Sequence, residues 1–342
     1  MIEEHPEEHA EAIPVAVIIV TYKSASLTVE CLRSLQTERS TPGLSIRAVV
    51  VDNASGDFAT IGNAIDANKW SSWVTCVVAP KNGGFAYGNN FGIHRTLCDG
   101  SVSYVYLLNP DTEIRPGAIG SLVRFLEAHT GVGIAGGSFE NRDGSDWPIA
   151  FRFPTLLSEL ETGVESALVT RLLRPWVVAR QMTLEPQPID WICGAAVMIR
   201  STVFSTIGGL DENYFLYFEE TDFCRRARQA GFSTWYVPES RVMHIAGQST
   251  AVTDRTLGPR RLPGYWFESR RRYFAVTFGF SHAVMIDIVA VIANSLGWVK
   301  RIALRRPSTP HYIRDLITHT VLWRRNQSIP AFRSSLKTPD RH

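Results

Sequence analysis

Val15 to Val20 reads VAVIIV, six consecutive apolar residues dominated by β-branched side chains. Such a run fits a strand buried on both faces, and strands of that kind belong to parallel sheets covered by helices. The run ends at the polar pair Thr21-Tyr22, and the pattern then repeats. Ser26 to Gln36 predicts a helix with Leu27, Cys31, Leu32 and Leu35 on one face, and Ile46 to Asp57 predicts a strand entering a polar loop at Asp52-Asn53. A helix near Ile61 to Asn68 precedes a third strand, Trp73 to Ala79, which leads through the loop KNGGFAYGNN to a helix over Asn89 to Leu97. Tyr104 to Leu108 is a fourth strand, stopped by Asn109-Pro110-Asp111. Pro116 to His129 then reads as a helix with proline near its first turn.

Strands that alternate with helices imply right-handed crossovers and a mostly parallel sheet, an α/β class of fold. In such sheets ligands bind outside the carboxyl ends of the strands. Thr21-Tyr22, Asp52-Asn53 and Asn109-Pro110-Asp111 all fall at those ends. Turn chemistry explains each cluster singly but does not explain their shared edge. After Gly136 the pattern loosens. Arg142 to Pro154 reads as a loop, Leu156 to Leu173 as a helix, Pro186 to Pro188 as a connector and Asp190 to Ile199 as a strand. A short helix, Ser201 to Ile207, ends at Gly208-Gly209. Glu219 to Ala230 predicts a helix closed by Gly231, and Thr234 to Val237 a strand.

A net charge of +2 over 342 residues gives no reason to expect a nucleic-acid partner. The cysteines, at 31, 76, 98, 193 and 224, form no C-x-x-C pair, which points to reduced thiols in a cytosolic protein. The acidic residues 1–13 read as a flexible tail without the basic and apolar regions of a signal peptide.

The loop Lys81 to Asn90 opens a helix, a setting that suits phosphate, though it is neither a Walker loop nor G-x-G-x-x-G. A flexible loop with a helix cap explains it equally well. Glu219, Glu220 and Asp222 crowd the first turn of a predicted helix, where acids serve capping or general-base chemistry. Three acids in four positions exceed what capping needs, and Tyr214, Phe215, Tyr217 and Phe218 would surround a partly dry cleft. His244 reads as structural or as a ligand. Paired with Asp111, it would form a mixed nitrogen and oxygen site suited to Mg²⁺ or Mn²⁺ holding a diphosphate.

The ordered set VAVIIVTYKS, VVVDNASGD, NGGFAYGNN, LLNPDTEI, DWICGAAVMIR, GGLDENYFLYFEETDFCRRARQAG and VMHIAGQS resembles the family 2 glycosyltransferases, and among them the rhamnosyltransferase-like bacterial branch. The resemblance runs from Pro14 to Gln248. It implies a GT-A fold, a Rossmann-like mostly parallel sheet flanked by helices, here with a helical C-terminal extension. It also implies a nucleoside-diphosphate sugar donor (dTDP- or UDP-linked, L-rhamnose first), a glycan or polyprenyl-linked acceptor, and inversion at the anomeric carbon. By the same resemblance Thr21 and Tyr22 border the nucleotide, and Asp52 contacts its base or ribose. Asn82, Gly83, Phe85, Asn89, Trp191 and Gly194 line the donor pocket. Asn109 and Asp111 match the family's D-x-D, Asp111 and His244 hold the metal, and Glu220 is the base, with Glu219 the competing candidate and Asp222 beside them. Asn109 departs from that pattern by removing one charge.

Residues 14–250 are thus the predicted catalytic domain and 251–342 a basic, amphipathic helical region. In that region Arg270-Arg271-Arg272 precede an apolar run, Tyr273 to Val299, with Lys300, Arg301, Arg305 and Arg306 beyond it. His282, Asp287 and Asn294 count against a membrane-spanning helix. Peripheral contact with the inner face of the cell membrane, or helical packing on the catalytic domain or a second copy, fits better. Two other functions share these features. A sugar-phosphate nucleotidyltransferase would need a Gly-rich loop with Arg and Lys after the first strand, where this chain has Thr-Tyr-Lys. A nucleotide-sugar- or glycan-binding module that has lost catalysis would leave the acid cluster unexplained.

Overall fold

The computed structural model describes residues 11–98, 102–147, 150–245 and 260–336. The acidic residues 1–10, the AGQS end of the last motif and the domain boundary near residue 250 lie outside the described residues. Four strands, β1 (Ile13–Thr21), β2 (Leu44–Asp52), β3 (Val74–Val78) and β4 (Tyr104–Leu108), lie parallel in the order 3-2-1-4. Helices α1 (Ala25–Glu38), α2 (Phe58–Ala67) and α3 (Gly84–Leu97) connect them. The buried run predicted at Val15 to Val20 is the central strand, with Val17, Ile18 and Ile19 fully enclosed.

The chain continues through β5 (Thr112–Ile114), α4 (Ala118–Ala128) and β6 (Val132–Glu140). Short pairings follow at β7 (Asp146–Trp147) and β8 (Ala150–Phe151), then α5 (Leu156–Val164), α6 (Ala167–Leu172), β9 (Ala179–Arg180) and β10 (Gln187–Ile189). Next come β11 (Ala196–Arg200), α7 (Ser201–Ile207), α8 (Glu219–Gln229) and β12 (Ser233–His244). β11 inserts antiparallel between β4 and β6, and β12 extends the sheet parallel to β6. The last helices are α9 (Gly264–Phe278), α10 (Phe280–Ala303) and α11 (Tyr312–Thr318).

Several sequence expectations are corrected. The glycine-rich loop is mostly helix, because α3 starts at Gly84. A Cβ at Gly88 or Gly92 would stand 2.6 Å from Val20 or Ile18, so those glycines let α3 lie directly on β1. The strand predicted over Asp190 to Ile199 begins only at Ala196, and the predicted connector at 186–188 mostly forms β10. The predicted helix Leu156 to Leu173 breaks at Glu165, whose φ is 52°. β12 is far longer than predicted: it carries a register shift between Tyr236 and Arg241, around Pro238, and resumes to end at His244. A proline inside a strand marks such an irregularity. The apolar run Tyr273 to Val299 is two helices, divided at Gly279.

Candidate active site

β1 is the strand at which chain progression reverses, since β2 and β3 lie on one side of it and β4 on the other. The loops after β1 and β4 therefore diverge and leave a crevice at their carboxyl ends. Thr21, fully buried, donates from Oγ1 to Asp57 Oδ2 at 2.9 Å, and Ser24 N donates to the same oxygen at 2.9 Å. Tyr22 is exposed at the strand end, with the Lys23 ammonium 5.4 Å from its ring. Asp52 is buried and accepts from Ser55 N (2.8 Å), Ser55 Oγ (2.7 Å), Gly56 N (3.2 Å) and Phe58 N (3.1 Å). Both its oxygens thus build the loop into α2. Asn53 turns the other way and donates from Nδ2 to Asn82 Oδ1 (3.0 Å) and Gly84 O (3.1 Å), tying the β2 loop to the start of α3.

That start is compressed against a second segment. Phe85 N donates to Phe215 O at 2.8 Å, and a Cβ at Gly84 would meet the same oxygen at 1.9 Å. With φ at 84° as well, only glycine fits Gly84. Gly83 carries no such contact with Phe215, and Asn82 Oδ1 accepts from Gly84 N at 3.1 Å. Asn89 is buried and donates to Phe85 O at 3.0 Å, so it fixes the Phe85 backbone. The Phe85 ring lies over Gly194, where an added Cβ would be 3.1 Å from it and 3.8 Å from Glu220 Cβ. Trp191 turns away: its ring stacks on Phe151 at 4.2 Å and its Nε1 donates to Arg152 O.

Past β4, Asn109 O accepts from Thr112 Oγ1 at 2.6 Å and Asn109 N donates to Ala195 O at 2.8 Å. This turn presents Asp111, whose Oδ1 lies 3.3 Å from His244 Nε2. Ile245 N donates to Asp111 O at 2.9 Å, locking the two strand ends together. His244 packs between Phe139 and Trp147, with ring centroids 5.4 and 5.9 Å away. Its Nδ1 is buried without a hydrogen-bond partner among the described residues. A carboxylate and an imidazole in a buried pair are the donor set that a Mg²⁺ or Mn²⁺ ion takes, so these residues fit the metal. No third His, Cys, Asp or Glu joins them among the described residues. Pro110 and Asp111 also border a cleft of about 520 Å³ against Leu27, Glu30 and Arg142.

The acid-rich helix start separates into distinct environments. Asp222 Oδ2 accepts from Arg226 Nε at 2.7 Å, one turn along α8. Glu219 is buried and Glu220 half-buried, and each keeps an Oε2 without a partner among the described residues. Burial pushes the Glu220 carboxyl up to about 7, opposed by N–H groups of Glu220 and Gly194. Glu219 is also pushed well up, by burial and by the neighbouring Glu220 charge. Immediately before them Tyr217 and Phe218 hold φ at 70° and 68°, a strained conformation for aromatic residues.

One short segment joins both halves of the site. Gly194 N–H reaches the Glu220 carboxyl, Ala195 O accepts from Asn109 N, and the buried Cys193 thiol is pushed up to about 12 by burial and by the charges of Glu220, Asp111 and Glu219. Residues 193–195 are irregular because they serve these two neighbours instead of a strand ladder. In the sequence this stretch reads as strand, which hides its bridging role. Asp57, which holds Thr21, also went unseen, having only a loop position to mark it.

The sheet order, the β11 insertion and the polar strand ends define a nucleotide-sugar transferase fold of the GT-A type. A glycosyltransferase-like family 2 model matches residues 12–258, and the chain belongs to that family. It is 34% identical over 151 residues to an N-acetylglucosaminyl-diphospho-decaprenol L-rhamnosyltransferase of Mycobacterium tuberculosis, covering 43% of this chain and 48% of that protein. The match therefore spans about half the length of that relative. Two solved structures share the fold at 15% identity. GalNAc-T7 with UDP, GalNAc and Mn²⁺ has a TM-score of 0.56, covering 90% of this chain and 58% of that one. The Pyrobaculum calidifontis mannosyltransferase PcManGT with GDP-Man and Mn²⁺ has a TM-score of 0.52, covering 92% and 88%.

Proposed function

We propose that the chain is a metal-dependent inverting glycosyltransferase. It moves L-rhamnose from dTDP-rhamnose to a glycan or polyprenyl-linked acceptor in bacterial cell-surface polysaccharide synthesis, at the cytoplasmic face of the membrane. The observation that carries this reading is the segment 193–195, with Glu220, whose Oε2 lacks a partner among the described residues, on one side and the Asp111–His244 pair reached through Asn109 on the other. The choice of rhamnose follows the activity named for the mycobacterial relative.

In this reading Asp111 and His244 hold Mg²⁺ or Mn²⁺, which when bound supplies positive charge against the departing diphosphate. Glu220 accepts the proton of the acceptor hydroxyl as that oxygen bonds to the anomeric carbon. The bond from that carbon to the phosphate oxygen breaks, and its electron pair leaves with the nucleoside diphosphate. A carboxyl poised near 7 is matched to a general base at neutral pH. Asp222 acts through Arg226, which also donates to Ile207 O and Gly209 O and so fixes α8. Asn82, Gly83, Phe85 and Asn89 shape the donor pocket, and Thr21, Tyr22 and Asp52 form its nucleotide edge.

Purified protein incubated with a panel of nucleotide sugars, with and without Mg²⁺ or Mn²⁺, tests this reading by nucleoside diphosphate release. Metal-dependent release from dTDP-rhamnose is the expected result. Release from another sugar alone would retire the rhamnosyl assignment, and no release from any donor would retire the enzyme.

A further inference from the structure

Helix α10 turns a face of mostly small residues, with Ile286 and Asp287, inward and most of its large apolar residues outward. Ala283, Ala290, Ala293 and Gly297 are buried, and Gly297 sits so close to α5 that an added Cβ would be 2.2 Å from Gly163 O. The opposite face carries Met285, Ile288, Ile292, Leu296, Val299 and Ile302, each 48–58% exposed. Their spacing of three and four residues makes a continuous stripe about 26 Å long. An exposed apolar face of that extent marks an interaction surface.

By length and hydropathy alone α10 could cross a membrane. Its inner face forbids that. Asp287 is buried, accepts from Arg270 Nη1 at 2.7 Å and from Val321 N at 2.7 Å, and Arg270 in turn binds Glu159 of α5. Extracting α10 would leave these buried charges unpaired, so the helix stays in the fold and offers only its outer face.

The charges around the stripe select its occupant. Val299 also lines a groove of about 410 Å³ with Trp298, His311, Tyr312 and Arg314. Arg301, also in that groove, is paired with Glu165, whereas Arg314 in the groove and Arg305 and Arg306 just past the end of α10 are exposed, and no carboxylate pairs with those three among the described residues. The other end of the stripe, residues 278–282, has no carboxylate either. Two copies packed through this face would thus gain no charge complementarity in either direction, whereas an anionic surface would.

We infer that the outer face of α10 and the basic groove at its end form one docking surface for an anionic lipid bilayer, with the stripe among the acyl chains and the groove against headgroup phosphates. This deepens the proposed function and rests on it for its purpose, since a polyprenyl-linked acceptor resides in a membrane. The full-length chain, sedimented with phosphatidylglycerol-containing vesicles, should partition at least about tenfold more than with phosphatidylcholine alone. Ile288→Gln/Ile292→Gln/Leu296→Gln should abolish partitioning, and Arg305→Glu/Arg306→Glu/Arg314→Glu should reduce it by about fivefold per arginine. Both variants should keep wild-type circular dichroism and turnover with water or a soluble acceptor. Equal partitioning into neutral vesicles, none into either, or displacement by inorganic phosphate would overturn the surface. So would a wild-type dimer in sedimentation velocity that the glutamine variant dissolves. Vesicle binding by a protein that turns over no donor would leave the surface standing and retire the enzyme alone.

Discussion

His244 Nε2 lies 3.3 Å from Asp111 Oδ1, joining the end of β12 to the turn after β4. In the proposed site one carboxylate stands where the family pattern resembled in the sequence has two, so each of the two proposed ligands would carry more of the metal's binding energy. Asp111→Asn or His244→Ala should weaken Mn²⁺ binding by at least about 10- to 100-fold. Titration calorimetry with Mn²⁺ and nucleoside diphosphate checks this, and circular dichroism confirms that the fold survives.

The Glu220 carboxyl is raised to about 7, so in the proposed mechanism it must lose its proton before it can accept one from the acceptor. The rate should therefore rise as pH increases through about 7 and level off above it. Glu220→Asp should move the midpoint, because the shorter side chain changes its burial. A pH profile of kcat under saturating donor and acceptor reads both effects.

Glu219 holds its proton in the folded protein at a pH where the unfolded chain has released it. Its contribution to stability is thus full at low pH and is lost as pH rises above the ordinary carboxyl value of 4.5. Glu219→Gln should leave stability at pH 4 nearly unchanged and raise the melting temperature at pH 8. Thermal unfolding at the two pH values measures the difference.

Those predictions depend on side-chain environments that the sequence only partly displays. The four parallel strands were legible because β-branched runs ending in polar pairs have few other solutions, and the polar ends marked the crevice. Asp52 stood at the correct edge, yet nothing in its letters shows that four donors of its own loop enclose it. The three acids of α8 were visible as a cluster, but their division needed Arg226 one turn on and Gly194 from elsewhere. The predicted strand stops at Val237, before Pro238, and only the sheet reveals the irregularity that lets β12 resume and end at His244. The division of the C-terminal apolar run was equally hidden, since composition does not say which face of α10 is buried.

The C-terminal segment is part of the fold beneath the acid helix. Glu212 Oε1 accepts from Asn90 Nδ2 (2.9 Å), Ser335 N (2.7 Å) and Ser335 Oγ (2.6 Å), while buried Arg272 pairs with Asp211 and donates to Pro330 O. Arg272→Met leaves Asp211 buried without its cation, and should cost about 3–5 kcal/mol in chemical denaturation.

The central claim is that Glu220 removes the acceptor proton while Asp111 and His244 secure the leaving diphosphate. The direct test compares donor turnover by wild type, Glu220→Gln and Asp111→Asn, with nucleotide binding measured in parallel. The account predicts that Glu220→Gln binds metal and nucleotide as wild type does but transfers about 10²- to 10⁴-fold more slowly. Wild-type turnover by Glu220→Gln would contradict it.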